Sequence, residues 1–179
     1  MKKIIAFAGS NSKQSINKAL VEYASSLVKG VEVEVLDLND YVMPIYSIDI
    51  ENEKGIPEKA IEFKNKIRTA DGIIISFAEH NGAYSVAFKN VYDWISRIES
   101  DVWLNKPMLM LGTSPGGRGA KGVLDLAKSR FERGNENLLD YFSFPSFQKN
   151  FDSENGIVDA SLKEELMKRI DEFESLLNK

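Results

Sequence analysis

The sequence contains no cysteine and only one histidine, His80. Without cysteine the chain can form neither disulfide bonds nor thiolate metal sites, and it has no cysteine nucleophile. A single histidine also excludes metal sites that are built from several imidazoles. The fold must therefore be stabilised by a packed hydrophobic core, and we expect residues 1–179 to form one domain, a length that suffices for such a core.

Long apolar runs and a large excess of charge are absent as well. The apolar run at residues 4–8 is shorter than the core of a signal peptide and far short of the about 18 residues that span a membrane. The formal net charge is −4, and such an acidic balance repels nucleic acid and anionic membrane surfaces. We therefore expect a soluble, cytoplasmic protein that binds neither nucleic acid nor membranes and holds no metal.

Short hydrophobic segments predict five strands. Residues 4–8, 73–77 and 108–111 are nearly continuous apolar runs, which are typical of strands that are covered on both faces. Residues 31–35 alternate with period two, which predicts a strand near the edge of a sheet. Residues 138–144 form a less regular fifth candidate.

Amphipathic patterns with helical spacing follow the strands, over residues 16–27, 57–67, 87–98, 123–131 and 162–177. Pro57 is expected at the first position of its helix, and residues 37–56 are expected to be irregular. The alternation of strands and helices predicts an α/β domain, in which a five-stranded parallel sheet lies between two helical layers.

Three loops of unusual composition follow the first, third and fourth strands, at residues 9–17, 78–85 and 112–119. In a sheet of order 2-1-3-4-5 these three strands are neighbours. Ligands of open parallel sheets bind beyond the carboxyl ends of the strands, where the strand order reverses. The three loops are therefore expected to line one crevice.

The first loop offers the hydroxyl groups of Ser10, Ser12 and Ser15 and leads into a helix N-terminus. Such a terminus binds phosphate without needing a large net charge. Ser15 is equally suited to capping the helix, and the other serines are common turn residues. The composition of the loop alone leaves a phosphate site and a plain turn equally open.

The third loop contains a formal G-x-G-x-x-G motif at residues 117–122, but it follows the fourth strand rather than the first. Residues 112–117 begin like a phosphate-binding P-loop, yet Arg118 and Gly119 replace its Lys and Ser/Thr pair. Both nucleotide motifs therefore fail. We interpret the glycines as a place where the backbone approaches a planar ligand, with a flexible turn as the alternative.

His80 is a candidate proton donor in the second loop. The alternative is an exposed loop residue that contacts a ligand through its backbone. We favour the alternative because no Ser or Cys nucleophile with a fitted partner can be identified from spacing. No catalytic side chain is assigned.

Together the loops resemble those of the NADPH-dependent FMN reductase family, which includes quinone, azo-dye and chromate reductases. Residues 9–17 are similar to the family's G-S-x-R-x-x-S loop, and residues 113–119 are similar to its glycine-rich third loop. Residues 78–82 and 88–94 are similar to its P-E-Y-N-G and L-K-N…D-W segments. The resemblance implies a flavodoxin-like three-layer sandwich with strand order 2-1-3-4-5.

The resemblance also implies a flavin site and its residues. The FMN phosphate would contact Ser10, Ser12, Ser15, Ile16 and Asn17. The ring and ribityl chain would contact Glu79, His80, Asn81, Gly82, Ser114, Gly116 and Gly117. Ser12, His80 and Ala78 stand where the family usually carries Arg, Tyr and Pro. The phosphate charge must then be met by helix N–H groups and by Lys13.

The expected activity is hydride transfer from NADPH or NADH to FMN, and onward reduction of a quinone, an azo compound, a metal oxyanion or free flavin. The resemblance further implies a homodimer or homotetramer. The alternative is a flavodoxin-like electron carrier that docks protein partners without NAD(P)H turnover. The modest charge of −4 and the absence of a T-x-T-G-x-T loop argue against a carrier.

Overall fold

Five parallel strands form the central sheet of the computed structural model, which describes residues 1–179. The strands of the whole chain are β1 (Lys2–Gly9), β2 (Val31–Leu36), β3 (Gly72–Phe77), β4 (Glu79–His80), β5 (Ala83–Tyr84), β6 (Met108–Thr113), β7 (Phe142–Phe144), β8 (Phe151–Asp152) and β9 (Gly156–Ile157). The central sheet has the order β2-β1-β3-β6-β7. This is the predicted order 2-1-3-4-5, so the α/β prediction is confirmed.

Helices cover both faces of the sheet. They are α1 (Ile16–Ser26), α2 (Ile48–Lys54), α3 (Glu58–Thr69), α4 (Val86–Ile95), α5 (Lys121–Phe131), α6 (Phe147–Asn150) and α7 (Ala160–Leu177). One hydrophobic core lies between the sheet and the helices α3, α4 and α5. The other lies between the sheet and the helices α1 and α7. The three layers of the predicted sandwich are therefore present.

The burial of the strands follows their sequence patterns. Every residue of β3 and of β6 is buried, as expected for strands that are covered on both faces. The strand β2 lies at the edge of the sheet, and its first five residues are exposed or half-buried. Serine side chains begin two of the covering helices, because Ser15 and Ser85 cap α1 and α4.

Two expectations about local structure are wrong. Residues 37–56 are not wholly irregular, because a 3₁₀ helix at Leu38–Tyr41 and the helix α2 occupy most of them. The side chains of Asp37 and Ser47 cap these short helices, whose length is too small for an apolar stripe to be visible in sequence. Pro57 precedes α3 as its N-cap rather than occupying its first position.

The fifth strand is also shorter than predicted. Only Phe142–Phe144 pairs regularly with β6, while Leu138 forms an isolated bridge to Met108. Between them the Asp140 carboxylate forms ion pairs with Lys128 at 2.8 Å and with Arg169 at 3.3 Å. These side-chain contacts to two helices occupy a stretch that the sequence pattern assigned to the strand.

Candidate flavin site

The loops after β1, β3 and β6 meet in one cavity of about 310 Å³, which we call the loop cavity. Its lining residues are Ser10, Ser12, Gln14, Ser15, Ile16, Asn17, Ala78, Glu79, His80, Thr113, Ser114, Pro115 and Gln148. The three strands are neighbours and parallel, so their carboxyl ends lie at the same edge of the sheet. The prediction that the loops share one crevice is confirmed.

The N-terminus of α1 presents unpaired hydrogen-bond donors to this cavity. The Ser15 hydroxyl caps the helix by accepting a hydrogen bond from the Lys18 N–H at 3.3 Å. The backbone N–H groups of Ile16 and Asn17 have no hydrogen-bond partner within the protein. Free N–H groups at the positive end of a helix dipole form an anion-binding site.

The Asn17 side chain is committed to the fold. Its Oδ1 accepts hydrogen bonds from the Ser76 hydroxyl at 2.8 Å and from the Thr113 N–H at 3.0 Å. Its Nδ2 donates to the Thr113 carbonyl at 3.2 Å. These hydrogen bonds connect α1 to the ends of β3 and β6. Only the backbone N–H of Asn17 is therefore free to bind a ligand.

The second loop is a β-hairpin formed by β4 and β5. Asn81 and Gly82 connect the two strands, with φ of 54° and 75°. Positive φ at both residues is characteristic of a type I′ turn, which explains the Asn-Gly pair. Neither residue lines the loop cavity. Ser85 secures the end of the hairpin because its buried hydroxyl donates to the Gly9 carbonyl at 2.7 Å.

The side chains of Glu79 and His80, in the second loop, have different surroundings. The Glu79 carboxylate accepts a hydrogen bond from the backbone N–H of Val123, so it reaches α5. His80 is exposed and lines both the loop cavity and a second cavity of about 290 Å³. We call this second space the apolar cavity, because 8 of its 13 lining residues are hydrophobic.

The third loop contains glycines with different surroundings. A Cβ atom added at Gly116 or Gly117 would meet no atom within 4 Å, and neither residue is in the left-handed region. A Cβ at Gly119, where φ is +56°, would lie 2.6 Å from the Ser143 hydroxyl and 2.9 Å from the Pro145 nitrogen. The fold therefore requires glycine at position 119, whereas positions 116 and 117 face open space.

The loop cavity is lined by neither Lys nor Arg, and Glu79 is its only Asp or Glu. An anion at the N-terminus of α1 would therefore be held chiefly by hydroxyl and N–H groups. Helix N–H groups were one expected source of phosphate binding in place of the family's Arg, whereas Lys13, the other expected source, does not line this cavity.

Five lining residues were not predicted as contacts from the sequence: Gln14, Ala78, Thr113, Pro115 and Gln148. The first four lie within predicted loops, so their positions in the chain could have identified them. Gln148 comes from α6, and the hydrogen bond from Phe147 N–H to the Ser114 carbonyl, 3.1 Å, holds this helix beside the third loop. No local signal in the sequence indicates that contact.

Comparison with known proteins decides the family. The sequence profile of the NADPH-dependent FMN reductase family matches residues 2–149 of the chain. The chain belongs to this family. It is an NAD(P)H-dependent oxidoreductase whose cofactor is FMN, and the resemblance seen in the three loops is confirmed.

Two curated relatives carry names that describe quinone reduction. An NADPH:quinone oxidoreductase of Arabidopsis thaliana is 30% identical over 174 residues, which are 92% of this chain and 86% of that protein. A 2-hydroxy-1,4-benzoquinone reductase of a Burkholderia species is 35% identical over 119 residues, 65% of this chain and 63% of that protein.

The solved structures confirm the fold. The flavoenzyme NAD(P)H:acceptor oxidoreductase FerB of Paracoccus denitrificans superposes with a TM-score of 0.80 at 24% identity, covering 99% of this chain and 98% of that one. In the present chain no three His, Cys, Asp or Glu side chains lie close enough together to form a metal site. None of its helices combines the length and the apolar character that crossing a membrane would require.

Proposed function

We propose that the loop cavity binds the phosphate and ribityl end of FMN, and that the enzyme uses NAD(P)H to reduce quinones. The unpaired N–H groups of Ile16 and Asn17 are the main support for this proposal, because they form an anion-binding site at the carboxyl ends of the strands. The hydroxyls of Ser10 and Ser12 line the same cavity and supply further donors.

The residues present fit the phosphate end of FMN in chemistry and in space. The hydroxyl and N–H donors suit a phosphate, and the cavity of about 310 Å³ lies at the small end of ligand pockets. It accommodates part of FMN, so the isoalloxazine ring would extend to the cavity mouth. There the second loop, with Glu79 and His80, and the third loop, with Ser114, Gly116 and Gly117, would border it. Asn81 and Gly82 would contribute indirectly, because their turn sets the shape of the hairpin that carries Glu79 and His80.

Bound FMN would supply the redox chemistry, namely acceptance of a hydride from NAD(P)H and delivery of electrons to the acceptor. The protein supplies binding and orientation. The donors at the N-terminus of α1 hold the phosphate, and the third loop exposes backbone to the ring because Gly116 and Gly117 carry no side chain. No side chain needs to act as an acid or a base in this scheme.

A quinone is the acceptor that the surroundings of the site support best. The apolar cavity shares His80 with the loop cavity and is lined by no Asp, Glu, Lys or Arg. An uncharged planar quinone suits such a lining better than a metal oxyanion, which would lose its hydration without gaining a counter-charge. The names of the two curated relatives point to the same class.

We also propose a homodimer or homotetramer in the cytoplasm, without a nucleic-acid partner. Exposed apolar side chains support self-association, since Val42, Ile45 and Val86 are 78%, 73% and 69% exposed beside the apolar cavity. The net charge of −4 disfavours binding to nucleic acid. Light scattering on the purified protein measures the oligomeric state directly.

One experiment tests the enzymatic proposal. The purified protein is mixed anaerobically with FMN and NADPH, and the flavin absorbance is followed before and after a quinone is added. We expect bleaching that depends on the protein, and recovery of the absorbance when the quinone is added. Flavin binding without bleaching would contradict the proposal and favour an electron carrier.

A further inference from the structure

The segment at residues 88–94, which resembles the L-K-N…D-W segment of the family, contributes no residue to the loop cavity. It lies on α4, where Asn90 and Trp94 are four positions apart and therefore share one face of the helix. Both side chains contact residues 42–46, which we call the connecting segment. This segment joins the 3₁₀ helix at Leu38–Tyr41 to α2 and lies outside every helix and strand.

Four hydrogen bonds from α4 hold the backbone of the connecting segment. The Asn90 Nδ2 donates to the carbonyls of Met43 and Pro44, each at 3.1 Å. The Asn90 Oδ1 accepts from the Tyr46 N–H at 2.9 Å, and the Trp94 Nε1–H donates to the Pro44 carbonyl at 2.8 Å. Residues 43–46 form no hydrogen bonds between backbone groups. Their backbone therefore depends on these two side chains for its hydrogen bonds.

The side chains of the connecting segment form part of the apolar cavity. Val42, Met43 and Ile45 line it, together with His80 and Asn90. Val42 and Ile45 are 78% and 73% exposed, so packing against the core does not fix their positions. Their placement follows from the backbone, and the backbone is held by α4.

Trp94 gives this arrangement a rigid base. Its side chain is completely buried, and its ring meets the Tyr46 ring edge to face at 5.0 Å between the centroids. The two ends of the segment are thus fixed differently, because Tyr46 packs on the core while Val42 and Ile45 face the cavity.

We propose that Asn90 and Trp94 are positioning residues, which hold the connecting segment so that it forms one wall of the quinone site. This inference rests on the proposed function, in which the apolar cavity receives the acceptor. A segment without its own backbone hydrogen bonds would otherwise have to be ordered when the quinone binds, and that ordering would weaken the binding. The two side chains remove this cost before the quinone arrives.

Three variants test the wall and its support. Asn90→Ala removes three of the hydrogen bonds, and Trp94→Phe removes one while keeping an aromatic ring in the core. Ile45→Ser leaves the bonds in place and removes an apolar side chain from the wall. Asn65→Ala, which removes an asparagine from an exposed position of α3, is the control.

Steady-state kinetics with NADPH compare two acceptors, a naphthoquinone and ferricyanide, a small and highly charged acceptor that gains nothing from an apolar wall. We expect Asn90→Ala to raise the KM for the quinone about tenfold and Trp94→Phe about threefold, with kcat changed less than about twofold, because binding of the acceptor is weakened. Ile45→Ser should also raise this KM. The KM for ferricyanide and the dissociation constant for FMN should stay at their parental values.

Other results would contradict the inference in different ways. If Asn90→Ala and Trp94→Phe match Asn65→Ala in their KM for the quinone, the connecting segment is no part of the acceptor site. If they lose activity with both acceptors and bind FMN more weakly, the two residues support the fold in general. If light scattering shows a changed oligomeric state while the KM is parental, the segment serves a subunit contact. If the parent protein neither binds FMN nor reduces the quinone, the proposed function itself fails, and this inference fails with it.

Discussion

The carboxylate of Glu79 accepts a hydrogen bond of 3.0 Å from the backbone N–H of Val123. Val123 lies in the first turn of α5, and Ala120, the residue before that helix, has no side chain that can cap it. Glu79 therefore caps α5 from a loop 44 residues earlier in the sequence. Because Glu79 begins the β4–β5 hairpin, this contact holds the second ligand loop against the third.

Removing this cap should destabilise the protein. We expect Glu79→Ala to lower the free energy of unfolding by about 1 kcal/mol, as for loss of a helix cap, and Glu79→Gln to lower it less because its amide oxygen can still accept the bond. Urea unfolding of both variants measures the difference. Glu53→Ala, which removes an exposed carboxylate from α2, is the control. Equal stability of Glu79→Ala and this control would show that the capping bond is energetically unimportant.

A negative charge at the start of α1 should weaken FMN binding without unfolding the helix. Asp at position 15 can still cap α1, but its charge repels a phosphate, so we expect Ser15→Asp to raise the dissociation constant for FMN about tenfold or more. Fluorescence quenching measures the affinity, and thermal unfolding checks the cap. Ser47→Asp introduces the same change at the N-cap of α2. If Ser15→Asp binds FMN with parental affinity, the first loop does not bind the phosphate.

His80 is expected to be dispensable as an acid. Its side chain is exposed and has no hydrogen-bond partner that would orient it for proton transfer. We expect His80→Gln to retain most of the rate of flavin reduction and the same pH profile, because hydride transfer needs no side-chain proton. Stopped-flow measurements over a range of pH values test this. A loss of about 10²-fold would assign proton transfer to His80.

The glycines of the third loop should respond differently to substitution. Gly117→Val adds atoms in open space, so we expect parental stability and weaker FMN binding, because the side chain intrudes on the ring. Gly119→Ala should instead lower the free energy of unfolding by about 1–3 kcal/mol, since its positive φ and the Ser143 contact both penalise a Cβ. Thermal unfolding and FMN titration measure both variants. If the folded Gly117→Val variant binds FMN with parental affinity, the third loop does not contact the isoalloxazine ring at this position.

The acid sensitivity of the fold should depend partly on Glu34. Its carboxylate lies 2.7 Å from the Lys3 ammonium and 2.5 Å from that of Lys66, and these cations lower its pKa from the usual 4.5. A lowered pKa in the folded state stabilises the protein above about pH 4.5, and this stabilisation is lost as the pH falls through the folded value.

The Glu34→Gln variant should therefore be less stable than the parent at neutral pH, by about 1 kcal/mol or less because the ion pairs are partly solvated. The two proteins should converge below the lowered pKa of Glu34. Denaturation midpoints between about pH 3 and pH 7 test this prediction. A stability difference that does not change with pH would contradict it.

The sequence alone determined the architecture and the general position of the site. Apolar runs at residues 4–8, 73–77 and 108–111 predicted the central strands, because burial on both faces requires apolar side chains at consecutive positions. Such patterns are local, so they can be recognised without knowledge of distant contacts. The rule that parallel sheets bind ligands at the carboxyl ends of their strands then selected the three loops.

Only the tertiary structure decided what the side chains of the site do. Asn17 was predicted as a phosphate ligand, but its side-chain amide bonds to Ser76 and Thr113, which lie 59 and 96 residues away, so only its backbone N–H is left for that role. Glu79 similarly caps a helix in a distant part of the chain. A hydrogen bond between distant residues leaves no periodic trace in the sequence, because it depends on which loops the sheet order brings together. Sequence patterns therefore identified the loops, whereas the packing of the strands assigned the partners of their side chains.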